Sequence, residues 1–307
     1  MLEKQPKKIK ILEVGPRDGL QNEKQIVSTV DKFQFIKKLA MSGLQNIEAS
    51  SFVKAQSIPQ MSDAVELFRM IKADATLTKV QFSALVPNEQ GYQKAREFNL
   101  SQIALFTSTS DTFNKKNINS TVDESFDKMA VVAKLAKADK KRLRVYISTA
   151  FGCPYEGEIS IKKVCDVYER ALKLKADEIA VSDTIGVATP KQVKKVILQL
   201  KKEFGLSKVA LHFHDTRGMA LTNILVALEH GIVSFDSAAG GLGGCPYAKG
   251  ATGNVATEDL LYLLTSLGVK HGVEMSKLAE ASAFIHEKIQ KQTNSKYLQA
   301  YLKSQKG

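Results

Sequence analysis

Two histidines, His212 and His214, flank Phe213 in the run Val209-Ala210-Leu211-His212-Phe213-His214. In a strand, residues i and i+2 project from one face, so both imidazoles point one way and Phe213 the other. The chain holds only 5 histidines, and a pair on one strand face reads as a metal-ligand pair. The competing reading is two ordinary core histidines. A carboxylate and an amide oxygen would complete a ligand set, and Asp18 and Asn254 are the candidates. Two imidazoles, a carboxylate and an amide leave room for substrate oxygens in an octahedral shell. That donor mix suits Mg²⁺ or Mn²⁺, with Co²⁺ or Zn²⁺ as alternatives.

Arg17 adjoins Asp18. A cation beside a metal ligand is placed to stabilise a developing oxyanion, although a plain ion pair with an acidic loop residue reads the same way. Glu48, among apolar and small residues, and Asp183 are candidates for orienting Arg17 or the ligands; otherwise they make structural hydrogen bonds. The run Gly240-Gly241-Leu242-Gly243-Gly244-Cys245 is not the spaced glycine fingerprint of a dinucleotide site, and the chain has no Walker A sequence. Its glycines suit a mobile lid that would carry Cys245. Cys245 is then either a proton donor or a small hydrophobe.

Positioning these groups needs a scaffold that brings many strand ends together. Eight β-rich runs occur at 9–14, 46–50, 81–86, 102–107, 144–150, 178–182, 209–214 and 234–238. Amphipathic stretches such as 31–41, 123–138 and 161–174 separate them. Strands alternating with helices imply right-handed crossovers and a parallel sheet. Eight units in this length predict an α/β chain folded as a (β/α)8 TIM barrel, one catalytic domain over 1–307 with additional C-terminal helices from about 260. An open doubly wound sheet is the weaker alternative, because polar residues follow nearly every strand rather than gathering at one switch point.

The 307 residues are 44% hydrophobic and 25% charged, ordinary for a globular protein. No apolar run approaches the ~18 residues that span a bilayer, so no membrane partner is expected. The net charge is +12, but only 7 of the 44 basic residues are arginine and the lysines are scattered. This argues against nucleic acid and for a general attraction to anionic small molecules. Three cysteines and no apolar leader at the N-terminus lead us to expect a reducing cytoplasm.

Longer segments carry a resemblance. Glu13-Val14-Gly15-Pro16-Arg17-Asp18-Gly19-Leu20-Gln21-Asn22-Glu23, Ser51-Phe52-Val53, Gly152-Cys153-Pro154-Tyr155, Asp183-Thr184-Ile185-Gly186 and His212-Phe213-His214-Asp215-Thr216 are among them. The most specific is Gly241-Leu242-Gly243-Gly244-Cys245-Pro246-Tyr247-Ala248, followed by Gly253-Asn254-Val255-Ala256-Thr257-Glu258-Asp259. Together they resemble the hydroxymethylglutaryl-CoA lyase family, within the DRE-TIM metallolyase group, over roughly residues 8 to 300. The resemblance implies a barrel enzyme that cleaves 3-hydroxy-3-methylglutaryl-CoA to acetyl-CoA and acetoacetate, as in leucine catabolism and ketone-body formation. Its metal ligands would be Asp18, His212, His214 and Asn254. Arg17 would hold the thioester oxygen, Cys245 would act from the lid, and Asp18 or His212 would serve as base. Arg17, Gln21, Asn22, Ser51 and Thr184 are expected to meet the acyl-CoA substrate, with Lys54, Lys115 and Lys116 as candidates for coenzyme A phosphates. A homodimer is also expected. The alternative is a related lyase or condensing enzyme acting on another hydroxyacyl-CoA or a 2-oxo acid. The condensing enzymes usually carry a further C-terminal regulatory domain, so the expectation is a lyase.

Overall fold

Parallel strands are buried on both faces and must be apolar or small at nearly every position. β6 (Glu178–Asp183) and β7 (Val209–Phe213) are buried at every residue. The computed structural model describes residue 6, residues 9–244 and residues 253–305. Its other strands are β1 (Lys10–Glu13), β2 (Asn46–Ser51), β3 (Gln81–Leu85), β4 (Gln102–Ser108), β5 (Arg142–Ser148) and β8 (Ser234–Ser237). All neighbours pair in parallel, and β1 pairs with β2 on one side and β8 on the other. The order β1 to β8 is therefore a closed barrel, and no strand edge is left open.

The helices form the outer layer. They are α1 (Thr29–Met41), α2 (Ala64–Ala73), α3 (Glu89–Ala95), α4 (Asp111–Ile118), α5 (Val122–Ala138), α6 (Ile161–Lys173), α7 (Pro190–Phe204), α8 (Ala220–Glu229), α9 (Thr257–Ser266), α10 (Met275–Lys288) and α11 (Lys296–Ser304). Local sequence sets their ends. Thr121 and Glu124 form a reciprocal capping box at α5, and Thr189 and Gln192 another at α7, where Pro190 opens the first turn. α7 buries Val193, Val196, Ile197 and Leu200, the i, i+3, i+4, i+7 stripe of a helix lying on a sheet. The C-terminal helices also close the ring: α9 touches α8 and α10 lies along α1. No helix among the described residues is long and apolar enough to cross a membrane.

The barrel interior is unusual in charge. Leu85, Ala104, Tyr146, Ala180 and Ala210 form a small inner cluster with Phe106 against it. The three alanines leave room for larger neighbours, and Arg144 is wholly buried there.

The strand ends shift by one or two residues from the sequence reading, and the local geometry accounts for several of the differences. The first strand stops at Glu13, because the chain then enters a single π-turn, Gly15–Gly19, in which Gly19 N–H bonds to Val14 O (3.0 Å) and Leu20 N–H to Gly15 O (2.9 Å). The fifth strand starts at Arg142, which pairs with Gln102, and ends before Thr149, whose φ is 58°. In β2 the register slips between Glu48 and Ser50, so Ser51 rather than Ser50 stands opposite Leu85.

The start of the glycine-rich run is packed into the fold. Residues 240–243 are buried, while Cys245, which the expected lid would carry, lies outside the described residues. Gly240 has φ 61°, and a Cβ there would lie 2.2 Å from His286 Nε2 of α10; a Cβ on Gly253 would lie 2.1 Å from Gly241 O. At Gly240 and Gly253 the missing Cβ permits this close packing. Gly240→Ala should therefore destabilise the fold by about 3 kcal/mol, combining left-handed strain with an overpacked contact. Urea unfolding measures this; a loss below about 0.5 kcal/mol, the range of neutral surface changes, would show that His286 yields freely.

Candidate active site

Each strand ends at the same rim, so the groups that follow the strands converge there. The rim opens into a cavity of about 540 Å³ whose lining includes Arg17, Asp18, Tyr146, Thr184, His212 and His214. The π-turn after β1 delivers Arg17 and Asp18; such turns recur at functional sites. The imidazoles of His212 and His214 have centroids 5.3 Å apart. Their Nε2 atoms lie 3.9 and 3.8 Å from Asp18 Oδ2. One ligand atom from each of the three residues falls within 4.8 Å of the others.

Asn254 joins them through the backbone. It forms an antiparallel bridge with His214 just beyond β7, and Val255 N–H bonds to Phe213 O at 3.0 Å. Its Nδ2 donates to Asp18 Oδ2 (2.9 Å) and to Leu242 O (3.1 Å). Its Oδ1 is buried without a hydrogen-bond partner among the described residues. A buried orphan acceptor beside two imidazoles and a carboxylate is the donor set a divalent ion requires, so the residues fit the expected metal.

Arg17 is held from two sides. Its Nε donates to Glu48 Oε1, and its Nη1 donates to Asp18 Oδ1 at 2.5 Å. Its guanidinium lies 5.2 Å from the Tyr146 ring centroid, and Tyr146 Oη donates to Glu48 Oε2 at 3.1 Å. The remaining nitrogen, Nη2, has no hydrogen bond to the described residues, which leaves one donor for a ligand. Burial alone would lower the Arg17 pKa, but Glu48 and Asp18 raise it above the ordinary guanidinium value. Burial alone would push Asp18 up, yet Arg17 and the two imidazoles hold it well below the usual carboxylate range.

The other expected residues separate into two groups. Gln21, Asn22 and Lys54 line the cavity, and Asn22 Nδ2 donates to Gly244 O at 3.2 Å. Thr184 lines it too, with its Oγ1 accepting from Thr149 N–H at 2.8 Å. Ser51 does not line it: its hydroxyl is wholly buried and donates to Leu85 O at 3.3 Å. Lys115 and Lys116 do not line it either. Asp183 makes no bond to Arg17 or the imidazoles. Its two oxygens accept from Val187 and Ala188 N–H, both at 2.9 Å, and so shape the loop that carries Thr184. Cys245 lies outside the described residues. Cys165 sits in α6, where burial pushes its thiol up to about 11.

Sequence reading missed Asp236 in β8, whose Oδ2 lies 3.1 Å from His212 Nδ1. It also missed Tyr146 and Arg144. A signal was present: charged residues at 144, 178 and 236 stand inside strands, where no exposed face exists to explain them. Two further acids hold the start of the glycine run. Glu13 accepts from Gly15 N–H, Ala239 N–H and the Thr257 hydroxyl at 2.8, 2.9 and 2.6 Å. Glu258 accepts from the next amide, Gly240 N–H, at 2.9 Å, and from Ser282.

Fold and rim together define a (β/α)8-barrel protein with a two-histidine, one-carboxylate cluster that could hold a metal ion, beside a caged arginine. The chain belongs to the HMGL-like family, whose model matches residues 8–285. It is 47% identical over 295 residues to the cytoplasmic 3-hydroxy-3-methylglutaryl-CoA lyase of Homo sapiens, covering 96% of this chain and 79% of that one. It is 45% identical to the mitochondrial hydroxymethylglutaryl-CoA lyase of Bos taurus, covering 97% and 91%. The crystal structure of the Bacillus subtilis HMG-CoA lyase superposes with a TM-score of 0.93 at 43% identity, covering 97% and 99% of the two chains.

Burial pushes the carboxyl of Glu13 up to about 7 and that of Glu258 up to about 8. Between the unfolded value near 4.5 and these values the native state binds more protons than the unfolded chain. Their contribution is therefore complete below about pH 4.5 and is lost as pH rises through 7 to 8, with a slope of up to about 1.4 kcal/mol per pH unit for each group. Urea unfolding from pH 5 to 9 should show this decline, and Glu258→Gln should flatten it. An unchanged slope in that variant would mean Glu258 is already ionised in the native state.

Proposed function

We propose that this chain cleaves 3-hydroxy-3-methylglutaryl-CoA to acetyl-CoA and acetoacetate. The observation that carries the reading is the caged Arg17, one donor free, sharing Asp18 with the paired imidazoles. The chain is a carbon–carbon lyase by its family and relatives.

Asp18, His212, His214 and Asn254 would hold the ion. A divalent cation there, Mg²⁺ or Mn²⁺ by its donor set, supplies a Lewis acid beside the substrate hydroxyl. The residues carry the rest. A base, Asp18 or His212, accepts the hydroxyl proton. The electron pair left on oxygen forms the ketone of acetoacetate as the C2–C3 bond breaks. The bond's electrons pass to the thioester enolate of acetyl-CoA. Arg17, fixed by Glu48 and stacked on Tyr146, presents Nη2 to that enolate oxygen without having to reorganise. Cys245 is the proposed acid that protonates the enolate carbon. Gln21, Asn22 and Thr184 contact the acyl group, and Lys54 meets the coenzyme A moiety.

The substrate implies a place in leucine catabolism and ketone-body formation, and we take the working unit to be a homodimer. The cytoplasmic reading rests on thiols left free, Cys153 and Cys165 among them, while the relatives include both cytoplasmic and mitochondrial enzymes.

The direct test is incubation with hydroxymethylglutaryl-CoA and Mg²⁺, with acetoacetate as the readout. Product from acetyl-CoA and a 2-oxo acid instead would favour a condensing enzyme. A chelator should abolish turnover and Mg²⁺ or Mn²⁺ should restore it; full activity in metal-free protein would refute the ion site. Arg17→Met should lower kcat by ~10²-fold or more with a smaller change in KM, the usual cost of removing one oxyanion donor. Near-native kcat would make Arg17 a structural cation only.

A further inference from the structure

The two imidazoles are not equivalent. The Nδ1 of His214 is buried with no partner among the described residues, whereas Nδ1 of His212 lies 3.1 Å from Asp236 Oδ2. The barrel register places them side by side, His212 in β7 opposite Asp236 in β8. The Asp236 side chain is wholly inaccessible to solvent and is itself anchored, its Oδ1 accepting from Arg144 Nη2 at 2.6 Å. Arg144 bonds through Nη1 to Glu178, which in turn accepts from Lys10 Nζ at 2.8 Å and the Ser234 hydroxyl at 2.8 Å. A line of alternating charge thus runs up the barrel interior from Lys10 to the underside of His212.

We propose that Asp236 is a positioning residue that fixes the ring and tautomer of His212. A carboxylate paired with Arg144 accepts hydrogen bonds, so the ring places its hydrogen on Nδ1. That leaves the Nε2 lone pair facing Asp18 and His214. In water the neutral imidazole can place its hydrogen on either nitrogen; here the carboxylate chooses. Arg144 acts one step further out by holding Asp236 in plane. This rests on the reading of Asp18, His212 and His214 as an ion site. A ligand-bearing histidine gains both orientation and basicity from such a carboxylate, and losing the carboxylate typically costs 10- to 100-fold in metal affinity.

The test has two arms. In the first, ¹⁵N–¹H correlation of the imidazoles in metal-free wild-type protein, with His212 assigned by its loss in His212→Asn, should report hydrogen on Nδ1. Hydrogen on Nε2 overturns the proposal, and this arm needs no variant of Asp236 to fold. In the second, Mn²⁺ binding is followed by the paramagnetic resonance of the free ion. Asp236→Asn keeps the shape but offers an amide that can donate to Nδ1, and should bind Mn²⁺ 10- to 100-fold more weakly than wild type. Folded Asp236→Asn that binds Mn²⁺ as tightly as wild type overturns the proposal. Wild-type protein that shows the Nδ1 hydrogen but binds no Mn²⁺ would instead sink the ion-site reading while leaving the positioning role intact.

Discussion

Asp18 is shared, and the site is arranged around that sharing. One of its oxygens meets the Arg17 guanidinium and the other faces both imidazoles and the Asn254 amide. Removing charges from water costs several kcal/mol per ion, and a buried pair repays it only with good geometry and satisfied hydrogen bonds. Arg17 meets that condition because a second carboxylate, Glu48, takes its Nε, and Tyr146 fixes the far oxygen of Glu48. Truncating Arg17 would leave Glu48 and Asp18 at the rim without their shared cation. The same economy explains why the cation is arginine: a planar fork can meet two carboxylates and still aim a third donor outward, which an ammonium cannot do in fixed geometry.

Below this cluster the barrel tolerates further charges for a steric reason. Ala104, Ala180 and Ala210 are the small partners that make space for Arg144 and Tyr146 in the inner layer. Arg144 sits 4.9 Å from the Tyr146 ring, on which Arg17 also rests. Both guanidinium groups thus lie near one phenol, each paired with two carboxylates: Glu48 and Asp18 for Arg17, Asp236 and Glu178 for Arg144. Rim and interior form one connected electrostatic structure, and the closed strand ladder supplies the rigidity that holds it.

The glycine run after β8 belongs to the same scheme. Consecutive amides of Ala239 and Gly240 are held by Glu13 and Glu258, acids from opposite ends of the chain. Gly240 and Gly253 admit backbone and His286 at distances that no side chain would permit. The segment bearing Asn254 is thereby placed against the end of β7, where its amide reaches Asp18.

Much of this was legible from residues alone. The alternation of strand and helix, eight times over, implies a parallel sheet, because parallel strands need crossovers, and polar residues after nearly every strand favour a barrel over an open sheet. Strand parity puts His212 and His214 on one face whatever else the chain does. Arg17 beside Asp18, and Glu48 among apolar and small residues, were visible as candidates for an oxyanion-stabilising cation, a metal ligand and an orienting acid. What sequence could not decide depended on contacts between distant segments. Ser51 does not line the cavity, because its buried hydroxyl is taken up by Leu85 O of the neighbouring strand. Asp183 serves a loop, since its carboxylate accepts from two nearby amides. The glycine run reads as a lid, yet at Gly240 the missing Cβ is used for packing against α10. Asp236 came to lie under His212 only when β8 closed against β7 and β1. Periodicity is a property of neighbours along the chain and can be read there; which carboxylate a buried cation or imidazole will meet is settled by ring closure, which brings Asp18 from the end of β1 to the imidazoles at the end of β7 and to the Asn254 amide 236 positions away.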